Sequence, residues 1–199
     1  MKDAANNVNV RIAARVRELR AAQRLSLDAL ASKSGVSRSM ISVIERGQSS
    51  PTAVVLEKLA IGLGTTLGGL FVAPTDLDET PAGPVARRED QPEWQDPSSG
   101  YVRRNVSPSA VPQPMQIVEV RFPGGARVTF ENAPRHTRVY QQIWILEGTM
   151  DITVGKERHR LREGDCLAME FGKPTMFHNP ARKAAHYVVV VLSEPVSRR

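Results

Sequence analysis

The sequence predicts two domains of different classes, an N-terminal domain of five α-helices and a C-terminal antiparallel β-barrel. Apolar residues recur at helical spacing in the first part of the chain, whereas in the second part they alternate with polar residues. A segment rich in Pro, Asp and Thr separates the two patterns. The length of 199 residues suits two small domains. We therefore expect a helical domain over residues 1–73, a linker over 74–85, a β domain over 86–194 and a tail over 195–199.

The positive charge of the chain is concentrated in the helical part. The formal net charge of the whole chain is +6. Residues 1–73 hold ten Lys and Arg against five Asp and Glu, whereas residues 74–199 hold seventeen against sixteen. A compact basic unit suggests a polyanionic partner. A solvated basic surface explains such an excess about as often, so the charge needs support from a motif.

Cysteine usage and hydropathy favour a cytoplasmic protein with no membrane partner. Cys166 is the only cysteine, which excludes an intrachain disulfide and fits a reducing compartment. We interpret Cys166 as a small buried apolar residue of a strand rather than as a redox sensor. No run of about 18 apolar residues predicts a transmembrane helix, and the first residues lack the apolar core of a signal peptide.

Capping residues predict where the helices begin and end. Ser26 and Ser37 each precede a short apolar-periodic segment and can accept a hydrogen bond from the first turn. Gly35 and Gly47 end these segments, because glycine adopts the left-handed conformation without strain. Thr52 begins a fourth helix. A fifth, short helix is expected to carry Leu67, Leu70 and Phe71.

The second part of the chain shows the period of two that is typical of strands. The segments with this alternation are 117–122, 127–130, 143–146, 150–154 and 186–192. Turn residues such as Gly124-Gly125, Gly155 and Glu163-Gly164-Asp165 lie between them. Many short strands with frequent turns predict an antiparallel sandwich or barrel.

Two short helices joined by a tight turn that contains glycine, between Leu25 and Gly47, form a helix-turn-helix motif. Such a motif places its second helix in the major groove of DNA. The run from Leu25 to Gly47 resembles the Xre family of phage-repressor-like regulators, and the resemblance extends over about residues 10–72. It implies a five-helix domain of the lambda-repressor type and a double-stranded DNA operator as partner.

The second helix of the motif has one face available for DNA. Ile41 and Ile44 share the opposite face and are expected in the core. Arg38 lies near the start of the helix, where its guanidinium can read guanine O6 and N7. The other expected contacts are Ser39 and Ser42 to base edges or phosphates, Val43 to a thymine methyl, and Ser37, Arg46 and Thr52 to phosphates. A solvated surface is the alternative for each of these side chains.

The resemblance also implies one ion pair and leaves the base preference open. In phage repressors an arginine of the first helix pairs with the glutamate near the closing glycine. Arg20 and Glu45 occupy these positions. Leu27 and Arg38 stand where the family often carries glutamine, so the preferred bases do not follow from the resemblance.

The second part of the chain resembles a cupin domain. The run from Gly148 to Asp165 is similar to the middle of a cupin barrel, and Pro123-Gly124-Gly125 and Phe177-His178-Asn179 fit the same register. The resemblance covers about residues 86–194 and implies an antiparallel jelly-roll barrel.

The cupin resemblance predicts no metal and no other cofactor. Cupin enzymes bind a metal ion with three histidines and a glutamate. Those positions fall on Pro134, His136, Gln141 and Thr175, so that only one ligand is retained. A neutral amide and a hydroxyl are poor ligands for a divalent ion. His178 supplies a second histidine only if the register shifts.

A barrel without metal can still hold a small-molecule effector in its interior. The expected lining residues are His136, Gln141, Ile143, Ile145, Thr175 and Phe177. The alternative is a dry core in a barrel that serves only for dimerisation.

The combination predicts a sequence-specific, non-enzymatic transcription regulator whose DNA affinity a small molecule modulates. Two alternatives remain open: a cupin enzyme with a DNA-binding appendage, and a constitutive DNA binder with an inert barrel. A homodimer is expected because one recognition helix reads only a few base pairs, and two heads on adjacent half-sites supply affinity and specificity. We expect the barrel to carry the main dimer contact, through a sheet face or edge.

Overall fold

The computed structural model of the protein describes residues 2–72, 83–108, 114–131 and 137–195. Most of the predicted linker and the end of the tail lie outside these ranges. The helices are α1 (Lys2–Ala22), α2 (Leu27–Ser34), α3 (Arg38–Glu45) and α4 (Ala53–Gly62), followed by a 3-10 helix (Gly68–Phe71). None of the described helices is long and apolar enough to cross a bilayer.

The predicted capping residues are present at the helix-turn-helix motif. Ser26 Oγ accepts a hydrogen bond from the Ala29 amide at 3.0 Å, and Ser37 Oγ accepts one from the Met40 amide at 3.3 Å. Gly35 has φ +68°, the left-handed conformation that lets the chain leave α2 and turn into α3. These local interactions explain why the sequence predicts this part of the fold.

The prediction of a fifth α-helix is wrong, because the last helical segment is a single 3-10 turn at Gly68–Phe71. Two consecutive glycines begin this turn, and each disfavours an α-helix by about 1 kcal/mol relative to alanine. The Thr66 hydroxyl accepts a hydrogen bond from the Gly69 amide at 3.1 Å. Leu70 and Phe71 are nevertheless buried, so the short turn still closes the helical core.

Ten strands follow in the described part of the chain, and all of their pairings are antiparallel. In chain order they are β1 (Glu93–Gln95), β2 (Val102–Asn105), β3 (Met115–Phe122), β4 (Arg127–Phe130), β5 (Thr137–Glu147), β6 (Thr149–Val154), β7 (Glu157–Arg162), β8 (Cys166–Glu170), β9 (Thr175–His178) and β10 (Ala185–Pro195). One sheet has the order β1-β2-β3-β10-β5-β8, and the other has the order β4-β9-β6-β7. The sequence did not single out β1, β2, β7, β8 or β9 as strands.

The predicted closed barrel is wrong for the described strands, which form two open sheets packed face to face. No strand ladder joins one sheet to the other within the described part of the chain. Large inner side chains such as Phe122, Ile143 and Ile152 are fully buried between the sheets, as in a sandwich. Cys166 is exposed, contrary to the prediction, because it lies on an outer position of the edge strand β8.

A row of aromatic rings connects the helical domain to the interior of the β domain. Trp94 of β1 is buried and lies 5.8 Å from the Phe71 ring and 5.8 Å from the Tyr101 ring, measured between centroids. Tyr101 in turn stacks on Phe122 at 5.5 Å. Tilted and edge-on pairs at these distances are favourable beyond the area they bury, so the two domains share a continuous core.

Asp96, just after β1, caps the first turn of α4 from the other domain. Its Oδ1 accepts a hydrogen bond from the Ala53 amide at 2.9 Å, and its Oδ2 accepts bonds from the amide and hydroxyl of Ser99. Asp96 is 2% exposed. A carboxylate at a helix N-terminus satisfies free amides and interacts favourably with the helix dipole. The contact therefore fixes the orientation of α4 against the β domain.

We predict that Asp96→Ala lowers the free energy of unfolding by about 1–3 kcal/mol, because it leaves a buried amide of α4 without an acceptor. Urea denaturation of the full chain measures the change. Asp90→Ala, at an exposed aspartate of the same domain, is the matched control and should cost less than about 0.5 kcal/mol. Equal losses in the two variants would contradict a capping role.

Candidate nucleic-acid interface and junction cavity

Helix α3 presents the face that the sequence predicts for DNA. Ile41 and Ile44 are 0% and 1% exposed and pack into the helical core. On the other side, Ser37, Arg38, Ser39 and Arg46 are exposed, and Ser42 and Val43 are half-buried. Because these positions follow the helical period, they form one continuous surface.

The two arginines of this face are held differently. Arg46 Nη1 donates to Ser42 Oγ at 2.6 Å, and Arg46 Nε donates to Gln48 Oε1 at 2.9 Å. Arg38 Nε lies 3.5 Å from Asp28 Oδ1, and both side chains are more than half exposed. An exposed ion pair of this kind contributes little, so Arg38 can exchange Asp28 for a base edge at small cost.

Thr52 caps α4, accepting a hydrogen bond from the Val55 amide at 3.4 Å. The first amide of the same helix, that of Ala53, is already bonded to the Asp96 carboxylate. A phosphate at Thr52 would therefore depend on the hydroxyl group rather than on a free helix N-terminus.

The ion pair expected between Arg20 and Glu45 is present. Arg20 Nε and Nη2 donate to the two Glu45 carboxylate oxygens at 2.6 and 2.8 Å, and Arg20 Nη1 donates to the Leu25 carbonyl at 2.9 Å. The hydrogen bonds that Arg20 donates to Glu45 raise the pKa of Arg20, against the opposing effect of burial. Arg17 also donates to the Glu45 carbonyl, at 2.8 Å. These bonds join α1 to the end of α3 and set the angle of the recognition helix.

Sequence reasoning missed one side chain on this surface. Met40 is 41% exposed on α3, next to the Ser37 cap. An exposed methionine adapts its shape to an apolar neighbour. Its exposure follows from the packing of α3 against α1 and α2, which leaves this turn uncovered.

A cavity of about 70 Å³ lies where the helical domain meets the interior of the β domain. We call it the junction cavity. Thr66, Leu67 and Gly68 form the part of its wall that follows α4. The β domain supplies apolar side chains that share an inward-facing position: Val120, Phe122, Val128, Phe130, Val139, Phe171, Phe177, Val189 and Val191.

The structure places the predicted lining residues in three different environments. Gln141 and Phe177 line the junction cavity. Ile143 and Ile145 share the inner face of β5 with Gln141 but are completely buried in the core, away from the cavity wall. Thr175 is also buried, and its hydroxyl donates to the Lys173 carbonyl at 2.9 Å. His136 lies outside the described residues.

The positions that correspond to cupin metal ligands do not form a metal site within the described residues. Gln141 presents an amide, and Thr175 a hydroxyl that is already bonded to the backbone. His178 does not replace a missing ligand, because its neighbour Phe177 points inward and His178 lies on the outer face, 3.8 Å from Asp151. No group of three His, Cys, Asp or Glu side chains is suited to a metal in the described ranges.

Two polar residues of the junction cavity, Tyr101 and Arg103, come from a segment that the sequence did not predict as a strand. Tyr101, Arg103 and Tyr187 line the cavity together with Gln116. Arg103 is 8% exposed, although an arginine in a short strand normally indicates a surface. The signal available was the spacing of Tyr101 and Arg103, which are two residues apart and therefore on the same side of the extended segment that leads into β2.

Comparison with known proteins covers both domains. Residues 16–70 match the helix-turn-helix family model HTH_3, and residues 118–191 match the cupin domain model. The HTH-type transcriptional regulator SutR of Escherichia coli is 25% identical over 176 residues, which cover 86% of this chain and 89% of SutR. The HTH-type transcriptional regulator PuuR of Escherichia coli is 29% identical over 169 residues, which cover 83% of this chain and 85% of PuuR.

A solved structure has the same fold. The crystal structure of an HTH_3 family transcriptional regulator from Vibrio cholerae aligns with a TM-score of 0.74 at 23% identity, covering 98% of this chain and 99% of that one. Both family models, the curated relatives and the recognition helix agree. The chain is a DNA-binding transcription regulator that joins a helix-turn-helix domain to a cupin domain.

Proposed function

We propose that the protein reads a double-stranded operator with α3, that a small molecule in the junction cavity changes its affinity for that operator, and that it is not an enzyme. The observation that carries the proposal is that both domains form the cavity wall. Thr66–Gly68 come from the helical domain, and the other lining residues come mainly from inner strands of the cupin domain. The amide and hydroxyl at Gln141 and Thr175, where cupin enzymes hold a metal, support a binding role.

Arg38 is the residue to which we assign base recognition. It lies in the first turn of α3, is exposed, and has only the weak contact with Asp28 to give up. An arginine in this position can donate two hydrogen bonds to guanine O6 and N7. We assign Ser39, Ser42 and Val43 to base edges, and Ser37, Arg46 and Thr52 to the flanking phosphates.

We predict that Arg38→Ala reduces affinity for the operator by about 1–3 kcal/mol while leaving binding to random DNA nearly unchanged, because a base contact carries sequence preference. Fluorescence anisotropy at a fixed salt concentration measures both affinities, with an operator selected from random-sequence DNA. Lys33→Ala, at another exposed basic residue of the domain, is the control. An unchanged ratio of specific to random binding in Arg38→Ala would refute the assignment.

Hydrogen bonds connect α1 to the part of the cavity wall that the helical domain supplies and to the end of α4. Arg15 Nε of α1 donates to the Gly69 carbonyl at 3.3 Å, directly after the segment that lines the cavity. Gln23 of the same helix region donates to the Leu63 carbonyl at 2.7 Å. A molecule that contacts Thr66–Gly68 therefore acts on the segment against which α1 packs. Ligand binding changes DNA affinity when it favours one arrangement of the heads over another.

We predict that filling the cavity with a side chain imitates the ligand. Val191→Phe adds bulk beside Gln116, its partner across the strand pair, and should change operator affinity by about fivefold or more in the absence of any ligand. His159→Phe adds similar bulk on β7, far from the cavity, and should leave the affinity unchanged. Wild-type affinity in a folded Val191→Phe variant would argue against coupling between cavity and DNA.

We propose further that two copies pair through an apolar surface on the outside of the six-stranded sheet. This apolar outer patch consists of Met115, Ile117, Trp144, Val188, Val190 and Leu192. Val188 pairs with Trp144, and Val190 pairs with Ile117, so that the side chains adjoin across strands. Trp144 is 51% exposed and Met115 45% exposed.

The outer face of the other sheet is unsuited to such pairing. There Asp151 is bonded to Arg158 and Arg160 at 2.6 and 2.8 Å, and both arginines are exposed. Exposed apolar surface is the more favourable one to bury between copies. A second copy is the occupant we assign to the apolar outer patch, because paired recognition helices need a dimer axis.

We predict that Val190→Glu converts the dimer to a monomer, because it places a charge in the centre of the apolar outer patch. Analytical ultracentrifugation of the full chain measures the mass. Thr129→Glu, at an exposed position of β4 on the opposite sheet, should remain dimeric. A dimer in both variants would place the interface elsewhere.

A further inference from the structure

The junction cavity contains a buried guanidinium with hydrogen-bond donors to spare. Arg103 Nε donates to Asn105 Oδ1 at 3.2 Å, and the guanidinium lies 5.7 Å from the centroid of the Phe71 ring. Its two terminal amino groups donate no hydrogen bond to any residue that the structure describes, and no described carboxylate forms an ion pair with it. Burial lowers the pKa of Arg103, yet an arginine stays cationic in a protein.

Two tyrosine hydroxyls belong to the same cluster. Tyr101 and Tyr187 are 5% and 3% exposed and line the cavity with Arg103. Neither hydroxyl has a hydrogen-bond partner in the described part of the chain. Burial raises the pKa of both phenols, and the charge of Arg103 partly offsets the rise. Both groups are therefore neutral donors close to the guanidinium.

This arrangement favours an anionic ligand in the cavity that these donors line. A buried charge is tolerated when it is paired, and each donor that loses water without gaining an acceptor destabilises the fold. Arg103, Tyr101 and Tyr187 together offer donors but no negatively charged acceptor. An oxyanion satisfies all three, and a carboxylate can accept two parallel hydrogen bonds from one guanidinium.

We propose that the junction cavity binds a small monocarboxylate with an apolar body, whose carboxylate accepts hydrogen bonds from Arg103, Tyr101 and Tyr187. The apolar body packs among side chains such as Val120, Phe177 and Val189. This inference deepens the proposed effector function, on which its regulatory meaning rests. It names the chemical class of the effector and the residues that recognise it.

The size and charge of the cavity restrict the ligand further. One enclosed water needs roughly 10–15 Å³, so a cavity of about 70 Å³ suits a molecule of only several non-hydrogen atoms. Glu57 of α4 also lines the cavity. In a space of this size the ligand has room for one carboxylate, which favours a single negative charge.

Gly68 brings the helical domain to the anion-binding groups. A Cβ atom there would clash with Gln116 Oε1 and would lie 3.0 Å from Arg103 Nη2. A larger residue at this position would have to displace the ends of these two side chains. A carboxylate bound to Arg103 therefore touches both domains, which is the geometry that coupling to DNA requires.

The test is thermal unfolding of the full chain with acetate, butyrate and hexanoate, each at ionic strength matched with sodium chloride. Butyramide and butylammonium chloride share the butyrate skeleton without its negative charge. We expect at least one carboxylate to raise the Tm by several degrees, and the amide and ammonium compounds to have no comparable effect. If no carboxylate raises the Tm more than butyramide and butylammonium chloride do, the proposal is wrong.

Variants of Arg103 and Tyr187 test whether these residues bind the carboxylate. Arg103→Gln should weaken binding of the stabilising carboxylate by about tenfold or more in calorimetry, because hydrogen bonds to charged groups are strong. Arg127→Gln, at an exposed arginine of β4, is the matched control and should bind normally. Tyr187→Phe removes one hydroxyl and keeps the ring, so it tests the cluster even if Arg103→Gln does not fold. Normal carboxylate binding in Tyr187→Phe and in folded Arg103→Gln would overturn the assignment.

The two proposals fail separately. If a carboxylate binds through Arg103 without changing operator affinity, the proposed ligand class is supported. The proposed modulation of DNA affinity by that ligand is then contradicted. An uncharged molecule that occupies the cavity and changes operator affinity, where no carboxylate binds, supports modulation and overturns the ligand class proposed here.

Discussion

The contact between the start of α4 and Asp96 is the interaction on which the rest of the structure depends. A single buried carboxylate of the β domain accepts the Ala53 amide and both donor groups of Ser99. Beside it, Trp94 is packed between Phe71 and Tyr101. One contact is directional and the other buries large apolar surfaces, so together they fix both the position and the angle of the DNA-binding domain.

The junction cavity is a consequence of this docking. Because Phe71 is held against Trp94, the preceding residues Thr66–Gly68 lie over the open end of the two sheets. The same placement brings the Phe71 ring to 5.7 Å from the Arg103 guanidinium. The proposed coupling between a ligand in the cavity and an operator on α3 rests on this placement.

The outer surfaces of the two sheets differ in their exposed apolar and charged side chains. One carries the apolar outer patch beside the contacts of Glu119 with Arg104 and His186, and the other carries Asp151 with Arg158 and Arg160. The hydrogen bonds from the arginines, the one from Arg160 foremost, hold the pKa of Asp151 well below its usual range despite its burial. Such a face stays hydrated, whereas the apolar one favours association.

The sequence by itself determined the helix-turn-helix motif and the side of α3 that lies outside the core. The signals are the capping residues Ser26, Gly35 and Ser37 and the spacing of Ile41 and Ile44. These interactions are local along the chain, so they can be recognised from the sequence alone. Only the tertiary structure decided that the sheets stay open, that the last helix is a 3-10 turn, and that Cys166 is exposed. It also decided the chemistry of the cavity: Arg103 is polar in sequence but buried in space, because Phe71 and Tyr187, distant along the chain, close around it.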